Sequence, residues 1–289
     1  MKTAVVTGAT SGIGLAVCAG LLKNGYRVIG IGHSGENCAF AKEKLQKDIP
    51  GGDAVFFCGD LMQMGEVCRV ADDVRRELLR VSGGRLDALV NNAGCVRSWY
   101  MTTAEGYEQQ FALNHLAGFL LTHELMPNLI EAGGMVLMTS SGSHKLTRVK
   151  WDDIMYEKRY SPLYAYKQSK LCNLLFASAF NERYAGQGVR AYGIDPGLVR
   201  TDIGNKETGK LVSLFWKHRK KRGVDPTEPA EIYLALISSG TIPTGLYYGF
   251  DGERATSRDV TKKNADKLFE LSEKLCGIKY GEVKPCSFS

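Results

Sequence analysis

Apolar residues along this chain fall into short runs typical of buried strands, separated by longer stretches with helical spacing. The first run, residues 3–6, is apolar and β-branched and predicts a buried parallel strand. Residues 15–22 follow with apolar positions at helical spacing, and the pattern stops at Asn24 and Gly25. Further strands are predicted at residues 27–32, 54–58, 86–90, 135–139, 189–194 and 245–249. The alternation of strand and helix predicts an α/β domain built on a parallel sheet.

Two later segments have helical patterns with one polar face. Residues 63–81 carry many charges, which predicts that one face of this helix lies in solvent. The tail, residues 259–276, is amphipathic, with Leu268, Leu271 and Leu275 on one stripe. We expect this stripe to close against the body of the domain.

Composition restricts the class of protein more than its function. At 289 residues the chain fits one large domain, and its 44% hydrophobic and 24% charged residues are ordinary for a globular protein. Eight scattered cysteines without a Cys-x-x-Cys pair predict reduced thiols and no metal site. No signal peptide precedes the first strand and no apolar run is long enough to span a bilayer, so a cytoplasmic location is expected. The net charge of +6 is mild and by itself indicates little about partners, and no nucleic-acid partner is expected.

A glycine-rich turn joins the first strand to the first helix. Glycine at position 8 allows a tight turn, at position 12 it lets a pyrophosphate approach the backbone, and at position 14 it lets the helix pack on the strand. The helix N-terminus offers N–H groups and a positive dipole end to phosphates. Glycines alone are weak evidence, but here they stand between a strand and a helix. The residues predicted to bind a dinucleotide are Gly8, Thr10, Ser11, Gly12, Ile13 and Gly14.

Asparagine residues mark two other points of the predicted fold. Residues 91–94 read Asn-Asn-Ala-Gly after the fourth strand, where they form either a generic turn or a support for the cofactor and sheet. Asn114 lies inside an otherwise apolar helix, so its amide needs a hydrogen-bond partner once it is buried. The neighbouring His115 is a rival catalytic base, but it projects in another direction and we interpret it as structural.

Tyr166 and Lys170 are spaced i, i+4 and project from one face of a predicted helix. A free tyrosine has a pKa of about 10, too high for a base near neutrality. A nearby ammonium group favours the phenolate and lowers that pKa, so the pair is suited to proton transfer. Tyr164 lies six residues from Lys170 and lacks this spacing.

Together these motifs resemble the short-chain dehydrogenase/reductase family, and the resemblance covers nearly the whole chain. The long segment before Tyr166 and the pattern Tyr-x-x-Ser-Lys-Leu-x-Asn resemble its retinol dehydrogenase and WW-domain-oxidoreductase-like branch. The resemblance implies a single-domain Rossmann fold, a doubly wound seven-stranded parallel sheet with helices on both faces. It also implies a cofactor-binding and catalytic core over 1–200, a substrate flap over 201–225, and C-terminal helices with the edge strand over 226–289.

The resemblance implies four catalytic residues. Tyr166 would exchange the proton, Lys170 would tune Tyr166 and hold the nicotinamide ribose, and Ser141, favoured over Ser140, would orient the substrate oxygen. Asn114 would bend its helix and hold a water in a proton relay. These roles are expectations from the resemblance, with every residue matched to the family motif.

The resemblance also implies further cofactor contacts. Asp60 and Leu61 would lie against the adenine ring, although Asp60 could equally cap the helix that follows. The backbone of Val199 and the hydroxyl of Thr201 would meet the carboxamide. Asp195 departs from the His or Asn frequent in this branch. The remaining expected contacts are Asn92, Ala93, Gly94, Pro196 and Gly197.

The end of the second strand bears on the choice of cofactor. An acidic residue there would accept hydrogen bonds from the 2′-hydroxyl of NAD, but this strand ends in Gly32, His33 and Ser34. Glu36 falls at the start of the next helix, where it suits the dipole. With no carboxylate to repel a 2′-phosphate, and with His33 and Ser34 able to donate to it, NADP(H) is favoured over NAD(H). No arginine strengthens this preference.

The function predicted from these residues is hydride transfer between nicotinamide C4 and a carbonyl or alcohol carbon. A catalytically silent nucleotide sensor on the same fold and a reductase of small aldehydes or ketones are the alternatives. Aromatic and aliphatic residues at 99–101, 151–160 and 211–216 predict an apolar pocket, hence a steroid-, retinoid- or lipid-like substrate. The basic run 217–222 is a solvated face, an attractor for an anionic substrate or, with 211–216, a weak membrane contact. The oligomeric state, monomer or homo-oligomer, stays open.

Overall fold

Short apolar runs form the strands of one sheet, as the hydrophobic pattern predicts. The computed structural model describes residues 1–199 and 223–281, and the statements below concern these residues. The strands are β1 (Thr3–Thr7), β2 (Arg27–Gly32), β3 (Ala54–Cys58), β4 (Ala88–Asn91), β5 (Met135–Thr139), β6 (Arg190–Ile194), β7 (Tyr247–Gly249) and β8 (Gly252–Glu253). The fourth strand begins at Ala88, two residues later than predicted, and includes the first asparagine of the Asn-Asn-Ala-Gly motif.

The order of the strands is β3-β2-β1-β4-β5-β6-β7-β8. The first seven strands pair in parallel, which confirms the predicted doubly wound parallel sheet. The prediction that β7 forms the edge is wrong, because the short strand β8 pairs with it antiparallel, with Tyr248 opposite Glu253. A tight turn after β7 reverses the chain and places β8 outside it.

Helices cover both faces of this sheet and enclose two hydrophobic cores. The helices are α1 (Gly12–Lys23), α2 (Gly35–Asp48), α3 (Met64–Ser82), α4 (Gln109–Phe111), α5 (Ala117–Glu124), α6 (Met126–Ala132), α7 (Pro162–Tyr184), α8 (Thr227–Ser238) and α9 (Lys262–Cys276). One core contains buried residues of α3, α5, α7 and α9, and the other contains those of α1 and α8. The strand order reverses beside β1, and ligands of such sheets bind at this point, outside the carboxyl ends of the strands.

The tail helix α9 packs against the domain, as its amphipathic pattern predicts. Leu268 is fully buried, whereas Leu271 and Leu275 are only half-buried. Phe269 completes the buried face through edge-on contact with Phe119 at 5.2 Å between ring centres. The buried face of α9 is therefore rotated slightly from the predicted stripe, towards Phe269.

Six cysteines of the described residues carry free thiols, but Cys68 is in a disulfide bond, so the prediction of reduced cysteines is wrong there. No described helix is both long and apolar enough to cross a membrane. The predicted division of the chain at residues 200 and 225 stays a prediction, because 200–222 lie outside the described residues.

Candidate active site

The turn after β1 brings bare backbone to the carboxyl edge of the sheet. Gly8 and Gly12 have φ angles of +64° and +53°, which residues with a Cβ rarely adopt. Gly14 packs so closely that a Cβ would lie 2.2 Å from the main-chain oxygen of Gly8. The helix α1 begins without a side-chain cap from Ser11, which leaves its first-turn N–H groups available to a phosphate.

A cleft of about 1440 Å³ runs from this turn along the carboxyl ends of the strands. Gly12, Asp60, Tyr166 and Pro196 all line it, although they come from four separate parts of the chain. Its volume exceeds the few hundred Å³ of a typical small-molecule pocket, and it can accommodate a dinucleotide together with a substrate.

Asn92 ties β4 to β1 beneath the glycine-rich turn. Its side-chain amide donates to the main-chain oxygen of Thr7 at 3.1 Å. The Thr7 hydroxyl in turn accepts from the main-chain N–H groups of Asn92 and Ala93, both at 2.9 Å. The Asn-Asn-Ala-Gly motif is therefore structural support for the sheet at the cleft, and Asn92, Ala93 and Gly94 also line the cleft.

The end of β2 presents an imidazole and no carboxylate. His33 is largely exposed, lines the cleft, and its Nε2 lies 3.7 Å from Oδ1 of Asp60. The Ser34 hydroxyl accepts from the main-chain N–H of Asn37 as the N-cap of α2, and Ser34 is not part of the cleft wall. Asp60 lines the cleft and accepts from the main-chain N–H of Met62. The alternative that Asp60 caps α3 is wrong, because the helix cap is Gln63, three residues later. The contact of Asp60 with the adenine ring stays a prediction.

Asn114 lies in a single π-helical turn, Ala112–Leu116, between α4 and α5. Its Oδ1 accepts from the main-chain N–H of Cys95 at 2.7 Å, and its Nδ2 donates to the main-chain oxygen of Cys95 at 3.0 Å. The Nδ2 also donates to the hydroxyl of Ser169, while the main-chain oxygen of Asn114 accepts from Asn173 at 2.9 Å. The buried amide thus has the partners that it needs, and it links the Gly94–Cys95 loop to α7.

Lys170 and Tyr166 come together on α7 at the cleft. The Lys170 ammonium donates to the main-chain oxygen of Thr139, at the end of β5, at 3.0 Å. It lies 5.6 Å from the ring centre of Tyr166, which is half-buried. Burial lowers the pKa of Lys170 to about 8, so its charge is lost more readily than that of a surface lysine. Tyr164 is 49% exposed and is absent from the cleft wall, so it does not compete with Tyr166.

The two serines after β5 have different environments. Ser140 is buried, and its hydroxyl donates to the main-chain oxygen of Lys170 at 2.8 Å. Ser141 begins the 3₁₀ turn Gly142–Leu146, and its hydroxyl oxygen accepts from the main-chain N–H and the hydroxyl of Ser143. With its acceptor positions used, the Ser141 hydroxyl hydrogen is left to donate to a ligand. This arrangement favours Ser141 for contact with a substrate oxygen.

Asp195 holds the loop that follows β6. Its Oδ1 accepts from the main-chain N–H of Gly197 at 3.0 Å, and its Oδ2 pairs with Arg254 at 2.7 Å. The side chain of Asp195 is only 8% exposed, so the guanidinium compensates the charge of a nearly buried carboxylate. Asp195, which departs from the His or Asn frequent in this branch, is thus paired with Arg254, the residue that follows β8.

The family model described as short chain dehydrogenase matches residues 2–211. The chain belongs to the short-chain dehydrogenase family. Among curated relatives, Retinol dehydrogenase 14 of Homo sapiens is 32% identical to the enzyme, over 96% of this chain and 87% of the relative. Retinol dehydrogenase 12 of Mus musculus is 31% identical over the same shares. The enzyme is thus an NAD(P)-dependent oxidoreductase acting on CH–OH donors, and it is similar to the retinol dehydrogenase branch.

Solved structures agree with the fold of the enzyme. A protein of Mycobacterium Paratuberculosis matches with a TM-score of 0.73 and 27% identity, over 98% of this chain and 96% of that one. A short-chain dehydrogenase from Sphingobium yanoikuyae in complex with NADPH matches with a TM-score of 0.66 and 18% identity, over 98% of both chains. A metagenomic short-chain oxidoreductase in complex with NADP matches with a TM-score of 0.63 and 24% identity, over 86% of this chain and 96% of that one. At these last identities the likeness shows the fold alone.

The residues of the enzyme fit a nicotinamide dinucleotide. Gly12 lines the cleft with bare backbone at a φ angle that favours glycine, and Gly14 lets the helix pack against Gly8 beneath the turn. Lys170 lines the same cleft, and an ammonium can donate to ribose hydroxyls. These residues would hold the phosphates at the turn and the nicotinamide half of the cofactor beside Lys170.

Most of the predicted site residues of the enzyme lie together on the cleft wall. Gly14 packs beneath the turn, Ser34 caps α2, and Asn114 braces the neighbouring loop, so these three are not on the wall. Thr201 lies outside the described residues. The predicted residues that line the cleft are Gly8, Thr10, Ser11, Gly12, Ile13, His33, Asp60, Leu61, Asn92, Ala93, Gly94, Ser141, Tyr166, Lys170, Pro196, Gly197 and Val199.

The sequence reasoning missed several wall residues, because they flank motifs without belonging to them. Arg97 comes from the loop after β4 and Gln109 begins α4, while Leu146 and Leu163 come from the two ends of the segment between Ser141 and Tyr166. Proximity to a motif in the sequence was the one available signal. The other missed wall residues are Ile31, Gly32, Gly59, Met62, Gln63, Cys95, Leu113, Thr139, Ser140, Gly142, Ser143, Lys167, Asp195, Leu198 and Pro226.

Two of the three segments predicted to surround the substrate do not line the cleft. Residues 99–101 and 151–160 are absent from the cleft wall, and Trp151 packs under the ammonium of Lys267 on α9. The hydroxyl of Tyr160 binds Glu108 at 3.0 Å and so attaches the segment to the domain. The aromatic content of these segments therefore did not show whether they line the cleft or pack against the rest of the domain. Residues 211–216 and the basic run 217–222 lie outside the described residues.

His115 is a buried structural residue of the enzyme. Its Nδ1 lies 3.3 Å from Oδ1 of Asn173, and its Nε2 lies 2.9 Å from the hydroxyl of Ser272 on α9. Burial lowers its pKa to about 4, so the imidazole is neutral near neutral pH. It supports Asn173, which in turn donates to Asn114 and to Thr139. Through Asn173, the His115 side chain thus stabilises the main chain at Asn114 and Thr139.

Proposed function

We propose that this enzyme is an NADP(H)-dependent oxidoreductase of hydrophobic carbonyl compounds and alcohols, with Tyr166 as the acid and base. The observation that carries the proposal is the placement of Tyr166 and Lys170 in one cleft with the glycine-rich turn. A bound nicotinamide ring supplies or accepts the hydride at C4. The protein contributes the orientation of the substrate and the transfer of the proton.

Tyr166 donates its proton to the substrate oxygen during reduction and accepts it during oxidation. The ammonium of Lys170, fixed by the main-chain oxygen of Thr139, favours the phenolate form of Tyr166 by charge. Ser141 donates its remaining hydroxyl hydrogen to the same substrate oxygen and orients it. Tyr166 and Ser141 thus act at the same atom of the substrate, its reacting oxygen, while Lys170 acts through Tyr166.

Asn114 contributes geometry in this proposal. The two Nδ2 hydrogens are used by Cys95 and Ser169, while Oδ1 accepts from Cys95 and has a second lone pair. Its main-chain oxygen accepts from Asn173 and also has a second lone pair, so either oxygen of Asn114 can accept from a relay water. The π-helical turn interrupts the i to i−4 hydrogen-bond pattern at this residue.

The preference for NADP(H) rests on the end of β2. The exposed imidazole of His33 can donate to a 2′-phosphate, and Ser34 and Glu36 are committed to the start of α2. No carboxylate stands where an NAD-dependent fold would place one on the ribose. Two solved structures with this fold were determined with NADP and NADPH, which is compatible with the proposal.

The preference for a hydrophobic substrate rests on the aliphatic part of the cleft wall. Leu113, Leu146, Leu163 and Leu198 contribute aliphatic surface, and Ser141 and Tyr166 are available to orient an oxygen. Such a composition suits a bulky apolar molecule with one reacting oxygen. The names of the curated relatives, retinol dehydrogenases, agree with this class of substrate.

We also propose that residues 201–225 cover the substrate and that 211–222 contact a membrane surface weakly. The cover over the substrate rests on the resemblance to the family, and the membrane contact rests on the apolar and basic pattern of the sequence. Deletion of residues 211–222 should weaken binding to anionic vesicles. Unchanged binding would contradict the membrane contact.

The substrate proposal is tested by kcat/KM over a series from small aldehydes to retinal-sized and steroid-sized ketones, with NADPH and NADH in parallel. We expect kcat/KM to rise with apolar size and to be higher with NADPH. A preference for small polar carbonyls would contradict the hydrophobic substrate. Equal or higher affinity for NADH would contradict the cofactor preference.

A further inference from the structure

His144 is a completely buried histidine that the reaction described above does not use. It lies in the turn that begins at Ser141, and its Nδ1 is 2.7 Å from the main-chain oxygen of Ser141. On the other side of the ring, Nε2 accepts from the main-chain N–H of Ser257 at 3.0 Å. The imidazole therefore connects the Ser141 turn to the chain segment after β8.

The two partners determine the form of the ring. A main-chain N–H can only donate, so Nε2 is unprotonated, and a main-chain oxygen can only accept, so Nδ1 carries the hydrogen. Burial lowers the pKa of His144 and is the largest influence on it; the bond to the Ser141 oxygen and the charge of Asp195 raise this pKa, and the charge of Lys145 lowers it. Asp195 is itself paired with Arg254, and the buried phenol of Tyr247 also faces the ring. The neutral Nδ1–H form is therefore the one that the site requires.

Packing leaves the ring little freedom. The ring of Tyr247 on β7 meets it edge-on, with 4.9 Å between centres and 81° between planes. The main-chain N–H of His144 also donates to the main-chain oxygen of Ser141 at 3.0 Å, so this oxygen accepts from the same residue twice. A carbonyl held by two donors fixes the peptide plane next to the Ser141 side chain.

The same segment after β8 holds the second loop of the nicotinamide half. Arg254 pairs with Asp195 three residues before Ser257 binds His144. The two loops are also in contact, since a Cβ on Gly142 would lie 3.1 Å from Oδ2 of Asp195. Residues 254–257 thus link both loops to the sheet edge at β8.

We propose that His144 is a positioning residue that fixes the Ser141 turn, so that the Ser141 hydroxyl is directed at the substrate oxygen. The proposal rests on the role of Ser141 in the proposed function. His144 acts through its Nδ1–H bond to the Ser141 carbonyl, and Ser257 acts by keeping the ring in the required form. His144 itself does not touch the substrate.

Two variants of similar size separate the two sides of the ring. In His144→Asn the side-chain amide can replace the Nδ1–H donor, whereas His144→Gln places its amide at the Nε2 side and favours the Ser257 contact. We expect His144→Gln to lower kcat by about 10-fold and His144→Asn to stay within about 2-fold, because a misdirected catalytic group costs rate. The affinity for NADPH, measured by titration, should change little in either variant. A role in packing alone predicts the opposite order, since glutamine fills the volume better.

The decisive comparison repeats both variants in a Ser141→Ala background. If His144 acts through Ser141, both double variants have the kcat of Ser141→Ala alone, whereas a persisting difference between them, or a further loss below Ser141→Ala in both, would overturn the proposal. If Ser141→Ala alone keeps the wild-type kcat, the role of Ser141 fails and the proposal with it. If Ser141→Ala is impaired but both His144 variants of the otherwise wild-type enzyme have normal kcat, the proposal for His144 fails while the role of Ser141 stands.

A measurement on the wild-type protein remains valid if a variant does not fold. Nitrogen NMR of the histidine rings near neutral pH should show His144 with its hydrogen on Nδ1. A hydrogen on Nε2, or on both nitrogens, would overturn the proposal.

Discussion

Lys170 donates a hydrogen bond to the main-chain oxygen of Thr139 at 3.0 Å, which ties the middle of α7 to the end of β5. Asn173, one turn further along α7, donates to the same oxygen at 3.0 Å. The position of the ammonium relative to the sheet is therefore fixed before any ligand binds. Tyr166, one turn earlier on the same helix, is positioned by the same contacts.

The first prediction concerns the ionisation of Lys170. Burial lowers its pKa to about 8, and its charge is needed to favour the phenolate of Tyr166 and to bind the ribose. Since kcat/KM reports groups of the free enzyme, kcat/KM for NADPH should fall as pH rises above about 8. A steady-state pH profile measures this fall. A value that stays constant to about pH 9.5 would contradict the proposed role of Lys170.

The second prediction concerns the cofactor preference. Gly32→Asp is unsuitable as a test, because a Cβ at Gly32 would lie 2.4 Å from Thr10 and 2.5 Å from Cys38. His33 is exposed at the same strand end, so His33→Asp adds a carboxylate without a clash. We expect the ratio of NADPH to NADH affinity to fall by about 10-fold or more, because like charges repel. His33→Asn separates loss of the imidazole from gain of the charge. An unchanged ratio in His33→Asp would place the 2′-phosphate elsewhere.

The third prediction concerns the glycine-rich turn. Gly14→Ala should raise the Kd for NADPH by roughly 10-fold or more, because its Cβ cannot fit against Gly8 without moving the phosphate cradle. Gly35→Ala is the matched control, since a Cβ there meets no atom within 4 Å. Fluorescence titration with NADPH measures both. Equal affinity in the two variants would contradict the assignment of the phosphate site.

The fourth prediction concerns stability in acid. The pKa of His115 is lowered to about 4 in the folded state, against about 6.5 when unfolded, so the unfolded state binds more protons between these values. Stability should therefore fall as pH decreases from 6.5 to 4, by up to about 3 kcal/mol from this group. His115→Asn should remove that part of the slope in urea denaturation, even if it lowers stability overall. His33→Asn, at an exposed site, should keep the wild-type slope. If the dependence of stability on pH were unchanged in His115→Asn, protonation of His115 would not be its cause.

The local patterns of the sequence predicted most of the architecture. The glycine-rich turn, the Asn-Asn-Ala-Gly motif and the pair Tyr166 and Lys170 were predictable, because each depends on spacing within one turn or one helix. The extra strand β8 was not, since a two-residue strand has no periodicity to detect.

Contacts between distant parts of the chain account for what the sequence did not reveal. Arg254 meets Asp195 across 59 residues, and Ser257 meets His144 across 113. Neither pair leaves a local pattern, because the partners are brought together by the sheet. The aromatic segment at 151–160 misled for the same reason, since only the fold shows that Trp151 packs on α9. Aromatic residues suit a core as well as a pocket.

The central claim is that Tyr166 transfers the proton in a nicotinamide-dependent reaction. The most direct test is kcat for NADPH-dependent reduction of a hydrophobic aldehyde by Tyr166→Phe, with Tyr164→Phe as the control at the exposed neighbouring tyrosine. We predict a loss of about 100-fold to 10 000-fold in Tyr166→Phe, typical of a removed general acid, with NADPH affinity retained. Tyr164→Phe should match the wild type. Substantial turnover by Tyr166→Phe, or an equal loss in both variants, would contradict the assignment of Tyr166.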